Sequence, residues 1–121
     1  MTNKIFDLKV RVVNFGRNLI SFCNQIEKNE VTRPLITQLV KSGTSIGANY
    51  FEADNSESRQ DFIHKINISR KEAAETKFFL QMIVEASPKQ KTKARVLYKE
   101  ANELHLIFNK ISSKTKSNTK S

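Results

Sequence analysis

The chain contains few of the residues that interrupt or cross-link a fold. Of its 121 residues, three are Gly, two are Pro, one is Cys and none is Trp. So few Gly and Pro exclude a fold built from many tight turns and favour long helices. A single Cys excludes an internal disulfide. No apolar run reaches membrane-spanning length and no signal-like apolar stretch opens the chain, so we expect a cytoplasmic protein.

The lone Cys23 stands between Phe22 and Asn24 in an apolar helical pattern. A catalytic thiol would need a nearby His and an electropositive pocket, and the sequence argues for neither. The pattern therefore predicts a buried structural thiol in a reducing compartment.

Positive charge is concentrated at one end of the chain. The net charge is +9, but residues 1–87 hold 12 basic and 10 acidic side chains, whereas residues 88–121 hold nine basic and two acidic ones. Such a patch is typical of a surface that binds polyanions. A solvated tail that only confers solubility is the alternative.

Apolar positions step by three and four residues along most of the chain, which is the helical spacing. The first stripe is Ile5, Leu8, Val12, Phe15, Leu19, Phe22 and Ile26. The spacing predicts one domain over 1–111, followed by a basic disordered tail over 112–121. Its four helices are predicted at approximately 3–28, 33–52, 58–86 and 88–111.

Short loops between helices of similar length favour antiparallel neighbours, so the predicted fold is all-α, an antiparallel up-down-up-down four-helix bundle. Thr32 and Ser58 are the expected capping residues of the second and third helices. Four apolar residues fall outside a single stripe on these two helices, and we expect them to form a homo-oligomer interface. They are Ile36, Val40, Ile63 and Phe79.

Three motifs occur in order across the second and third helices. The first is Ser45-Ile46-Gly47-Ala48-Asn49-x-x-Glu52, the second is Ser58-x-x-Asp61-Phe62-Ile63, and the third is Lys71-Glu72-Ala73-x-Glu75-Thr76-x-x-Phe79-Leu80. Together they resemble the four-helix-bundle proteins encoded by intervening sequences in bacterial 23S ribosomal RNA genes.

That family is similar in fold to the accessory variability proteins of diversity-generating retroelements. The latter form barrel-shaped homopentamers, bind nucleic acid through a basic surface and associate with a reverse transcriptase. The resemblance therefore implies a homopentamer without established catalysis or cofactor, with RNA or DNA and a reverse transcriptase as partners.

The matching motifs also supply candidate structural residues. Asn49 lies on the helical stripe, where a satisfied amide can set the pairing of helices. We expect Glu52 to pair with Lys65, Arg70 or Lys71, because partly buried charges are normally paired. The full set assigned to structure and assembly is Ser45, Gly47, Asn49, Glu52, Lys71, Glu72 and Glu75.

The candidate nucleic-acid contacts lie on the fourth helix and the tail. They are Lys89, Lys91, Lys93, Arg95, Lys99, Lys110, Lys114 and Lys116. No base-reading module accompanies them, so the contacts expected are to phosphate, tolerant of sequence and steeply dependent on salt. Cations at the start of a helix interact unfavourably with the helix dipole. Their presence there indicates a role other than stabilising the helix.

Two other classes of function remain open. One is a protein-assembly module whose basic surface meets an acidic partner. The other is a metal-dependent hydrolase that uses Glu52, Glu72 and Glu75. The di-metal bundle motif places a His three residues after a Glu, and this chain has no such pair. We therefore predict neither a catalytic residue nor a metal site.

Overall fold

The computed structural model describes the backbone of residues 8–120 and the side chains of residues 8–115. No strand occurs over this range, and a 3₁₀ turn (Pro88–Gln90) precedes the last helix. The four helices are α1 (Leu8–Asn24), α2 (Thr32–Asp54), α3 (Arg59–Ala86) and α4 (Lys91–Lys120). The predicted all-α class with four helices is confirmed. The predicted start of the first helix, at residue 3, lies outside the described residues.

The end of α1 comes earlier than the predicted residue 28. Lys28 folds back and donates from Nζ to the carbonyls of Cys23 (3.1 Å) and Asn24 (3.2 Å), and the Cys23 carbonyl also accepts from the Ile26 N–H at 3.2 Å. Ile26 lies beyond the helix end and is still buried. The apolar spacing therefore continues past the point where the helix stops.

The loop before α2 is held by reciprocal hydrogen bonds between Asn29 and Thr32. Asn29 Oδ1 accepts from the backbone N–H groups of Val31 and Thr32, both at 2.9 Å. Thr32 Oγ1 accepts from the Asn29 N–H at 2.9 Å and donates to the Glu27 carbonyl at 2.7 Å. The predicted capping role of Thr32 is therefore wrong: Thr32 is the buried first residue of α2, and Val31 occupies the cap position without a side-chain cap bond.

Ser58 caps α3 as the sequence indicates, because its side chain accepts from the backbone N–H of Asp61 at 3.0 Å.

The core follows the predicted stripes. Six members of the first predicted stripe are buried: Leu8, Val12, Phe15, Leu19, Phe22 and Ile26. The other three helices also bury large apolar residues at helical spacing: Leu39, Ile46, Ile66, Leu80, Ile83, Leu97, Leu104 and Phe108. Cys23 is buried too, and burial raises the pKa of its thiol to about 11. The predicted burial of Cys23 is therefore confirmed.

Small and hydroxylated residues occupy the contact between α2 and α3. Ser69 Oγ donates to the Ile46 carbonyl at 2.9 Å, and the buried Thr76 hydroxyl bonds Ser42 Oγ at 3.0 Å. Further along, Lys65 of α3 pairs with Glu52 of α2. These contacts run in reverse order along the two helices.

Glycines occupy the contact between α1 and α2. A Cβ on Gly47 would come within 3.2 Å of Val12 Cβ, and a Cβ on Gly43 would overlap Leu19 Cδ2. α2 therefore approaches α1 closely only because these two positions lack a side chain.

The predicted disordered tail over 112–121 differs from the structure, in which α4 continues to Lys120. Ser112 is buried, and its hydroxyl donates to Asn67 Oδ1 of α3 at 2.7 Å. Thr115 Oγ1 donates to the Ile111 carbonyl at 2.7 Å. The helix thus extends beyond its last apolar residue, and polar side chains support the extension. Hydrophobic spacing alone cannot predict it.

Exposed apolar side chains lie elsewhere than predicted. Three of the four predicted ones, Ile36, Val40 and Phe79, are partly buried against the core, and Ile63 is partly buried as well. The large exposed apolar residues instead come from several elements: Val10, Val13, Ile20, Val31, Phe51, Phe78, Val96 and Leu106.

Over the residues described, no helix combines the length and the apolar character that a membrane crossing requires.

Gly43→Ala should destabilise the fold, because the new methyl group displaces the fully buried Leu19. We expect a loss of about 1–3 kcal/mol in the free energy of unfolding, typical of overpacking. Gly16→Ala is the matched control: a Cβ there meets nothing within 4 Å, and the change should stabilise α1 by about 0.5–1 kcal/mol. Chemical denaturation measures both; equal effects would contradict the close packing.

Candidate nucleic-acid interface

The predicted basic residues of α4 are exposed, but they do not form one surface. The seven whose side chains are described, Lys89 through Lys114, are all exposed; the side chain of Lys116 lies outside the described residues. Because a helix turns once every 3.6 residues, Lys99, Lys110 and Lys114 share one outer face. Lys93 instead points towards α1, where its ammonium contacts Gln25 Oε1.

Lys91 and Arg95 line a cleft between α3 and α4. The cleft has a volume of about 620 Å³. We call it the α3–α4 cleft. Its lining combines apolar residues with polar and cationic ones: Leu80, Gln81, Met82, Val84, Lys91, Ala94, Arg95 and Tyr98. None of these residues is acidic.

Polar groups continue along the same groove beyond the cleft. Lys77 Nζ donates to Asn102 Oδ1 at 3.0 Å and lies 6.0 Å from the centroid of the Tyr98 ring. Burial lowers the pKa of His105, and the charges of Lys77 and Arg70 lower it further. The groove therefore gathers positive charge from both helices.

Arg70 is the least satisfied member of this groove. Its Nε is buried and has no hydrogen-bond partner among the described residues. Buried polar groups in proteins are nearly always paired, so such an atom calls for an explanation.

Sequence reasoning missed Arg70, Lys77 and His105 as basic-surface residues. The signal was present, because Arg70 and Lys77 each follow a buried residue of α3, namely Ser69 and Thr76. Two residues that lie seven apart and next to the core stripe share one flank of a helix.

Several acidic side chains form ion pairs with cations of α1. Arg11 of α1 donates from Nε to Glu100 at 2.9 Å and from Nη2 to Glu100 and Glu103 at 2.6 and 3.2 Å. Lys9 pairs with Asp54 at 2.6 Å. The acids of α4 are thus neutralised from α1, whereas the α4 cations within the described side chains, up to Lys114, take part in no ion pair.

Comparison with known proteins places the chain in a family. The family model described as "23S rRNA-intervening sequence protein" matches residues 7–110. The chain belongs to this family. The predicted resemblance is therefore confirmed.

A solved structure is similar to this chain in fold. It is a protein of unknown function from the S23 ribosomal protein family of Bacteroides thetaiotaomicron. The two chains are 28% identical, with a TM-score of 0.79 over 92% of this chain and 99% of the other. No curated protein matches the chain.

The family motif residues lie along α2 and α3, and most make local contacts. Glu52 pairs with Lys65 at 2.7 Å, one of the three partners predicted for it. Asn49 Nδ2 donates to the Ser45 carbonyl at 2.9 Å, within its own helix. Lys71 is exposed. The predicted role of Asn49 in setting the assembly remains a prediction.

Glu72 and Glu75 lie close together beside Ser45. Burial raises the pKa of Glu72, and the charge of Glu75 adds to the shift, whereas a hydrogen bond with Ser45 opposes it. Within residues 8–115, no three His, Cys, Asp or Glu side chains converge where a metal ion could bind. Of the three carboxylates in the hydrolase alternative, Glu72 and Glu75 are neighbours, whereas Glu52 pairs with Lys65.

Glu72→Gln should stabilise the protein at pH 7. Because the folded state raises the pKa of Glu72 above its ordinary value of 4.5, ionisation above that pH works against folding. The gain in Tm should therefore fade as the pH falls below 4.5. Thermal unfolding at pH 7 and pH 4 measures it. The exposed Glu85→Gln is the control on the same helix, and a stabilisation equal at both pH values would contradict the assignment.

Proposed function

We propose that this protein is a non-enzymatic, homo-oligomeric bundle that binds RNA or DNA through the basic surface of α4. The observation that carries the proposal is the uneven compensation of charge. Each ion pair formed by the described side chains uses a cation from α1 or α3, and none uses the exposed cations of Lys89 through Lys114. Cations outside ion pairs attract phosphate, mostly without sequence preference, and Lys99, Lys110 and Lys114 present theirs on one outer face of α4.

An antiparallel up-down-up-down arrangement is part of the proposal. Arg11 contacts Glu100 while Gln25 contacts Lys93, so α1 and α4 meet in reverse order. Lys77 contacts Asn102 while Asn67 contacts Ser112, which gives the same order for α3 and α4. In such a bundle the outer face of α4 stays open to a partner along its whole length.

Homo-oligomerisation is supported by an apolar groove between α1 and α2. Val13, Ile20 and Phe51 are exposed and line a groove of about 340 Å³, whose floor includes Gly16 and Gly47. Exposed apolar patches of this kind are typical of interfaces. The family resemblance suggests a pentamer, in which repetition of a weak basic surface raises the overall affinity.

The same resemblance suggests that the protein acts in the cytoplasm as an accessory to a partner enzyme such as a reverse transcriptase. The alternative is an assembly module that binds only protein. Exposed Phe78, Val96 and Leu106 favour it, because large apolar side chains on α3 and α4 would also suit a protein partner.

Replacing Lys99, Lys110 and Lys114 together with Gln should weaken nucleic-acid binding. In a salt titration with a 23S ribosomal RNA fragment, the slope of log K against log salt should fall by about 2–3, because each lost phosphate contact contributes ~0.7–0.9. The matched control replaces the exposed Arg33, Lys41 and Arg59 with Gln.

Both variants lose three positive charges, so net charge alone predicts equal effects. Equal slopes would contradict a surface on α4. Absence of RNA binding by the unaltered protein, with retained self-assembly, would favour the assembly module.

Replacing Val13 and Ile20 with Arg should lower the number of subunits. The two charges would have to be buried in the interface, and unpaired buried charges are costly. Native mass spectrometry measures the assembly, and Val31→Arg, on the exposed loop between α1 and α2, is the control. A monomeric unaltered protein would contradict the oligomer.

A further inference from the structure

We propose that the α3–α4 cleft binds an unpaired stretch of a polynucleotide strand, with a base against Tyr98 and phosphates on the surrounding cations. This inference rests on the proposed function and names the form of nucleic acid that the protein selects. Duplex regions would then contact the outer face of α4, and single-stranded regions would enter the groove.

The charge of the groove is complementary to a phosphate backbone. Lys91 and Arg95 stand on the α4 side, and Arg70 and Lys77 approach from α3. No residue that lines the cleft is acidic. Arg70 adds its positive charge next to His105, although its Nε, which has no partner among the described residues, is itself buried.

The shape of the cleft favours single strands. Packed helices lie with their axes about 8–10 Å apart, so the groove between them cannot admit a duplex. From Arg70 to Val84 the groove spans 14 residues of helix, or roughly 21 Å at 1.5 Å per residue. That length suits a stretch of roughly four nucleotides, the lower end of the site sizes known for single-strand binding folds.

The cleft also offers contacts to bases. Tyr98 is partly exposed at its edge, and aromatic rings are the common stacking platform for unpaired bases. The side-chain amides of Gln81 and Asn102 can donate to and accept from base edges. Duplexes hide these base edges and faces, so only an unpaired strand can use them.

His105 gives the site a pH dependence. The groups that face it from α3, Lys77 and Arg70, are both cationic, and together with burial they lower its pKa. A bound phosphate would reverse part of this effect and favour the protonated imidazole. Affinity for the strand should therefore rise as the pH falls below the ordinary imidazole value of 6.5, and His105→Gln should remove that rise.

The test compares two probes, an oligouridylate of about eight nucleotides and a blunt RNA duplex of equal length. Tyr98→Leu and the double variant Arg70→Gln, Lys77→Gln should each weaken single-strand binding by roughly 10-fold, within the range for loss of one stacked base. Duplex affinity should change by less than about 2-fold, since the duplex contacts phosphates elsewhere. Tyr98→Phe keeps the aromatic ring and should therefore retain single-strand affinity. The Tm of each variant establishes that it is folded.

The outcomes separate this inference from the proposed function. If the cleft variants bind the single strand normally while the Lys99, Lys110 and Lys114 variant does not, the cleft assignment fails and the basic surface stands. If the unaltered protein binds neither probe, both fail. If oligoglutamate binding is lost in the cleft variants and single-strand binding is not, the cleft belongs to an acidic protein partner and the inference is overturned.

Discussion

The rest of the structure depends on the close approach of α2 to its two neighbours. Towards α1 this approach requires Gly43 and Gly47, where a methyl group would collide with Leu19 or press on Val12. Towards α3 it requires the buried hydroxyls of Ser42, Ser69 and Thr76, which are short and still hydrogen-bonded. Small residues thus bring the helices together, and hydroxyl groups keep the buried backbone and side-chain polar atoms satisfied.

This packing determines where charge can appear on the surface. A cleft lies between α3 and α4, and Lys77, Lys91 and Arg95 lie in or beside it. On the other side, Arg11 draws Glu100 and Glu103 against α1. Because Arg11 neutralises the two acids of α4, the positive field of the exposed cations on that helix is less offset by acids of the same helix.

Much of the fold could be predicted from spacing alone. The three- and four-residue steps identified the core because residues such as Leu19, Ile46 and Leu80 are buried by the same periodicity that forms the helix. The extension of α4 could not be predicted in this way, because Ser112 joins the interior through a hydrogen bond to Asn67 and carries no apolar signal.

The candidate site was only partly predictable. Exposed lysines on α4 follow from composition, but the groove needs the pairing of α3 with α4, which no local pattern specifies. Arg70 and Lys77 lie on the flank of α3 that faces this groove, because each follows a buried residue of that helix. Conversely, the apolar residues expected at an interface, such as Val40 and Phe79, are partly buried against the core. Both the groove and the burial of these apolar residues depend on which helices pack together. Composition does not reveal that pairing.

The burial of Cys23 has a practical consequence for studying motion in this bundle. With its pKa raised to about 11, the thiol is almost entirely protonated at neutral pH, and its packing denies reagents a path to it. Alkylation at this sole sulfhydryl must therefore wait until α1 separates from its neighbours. The rate of labelling would therefore report how often the interior opens, without an engineered reporter group.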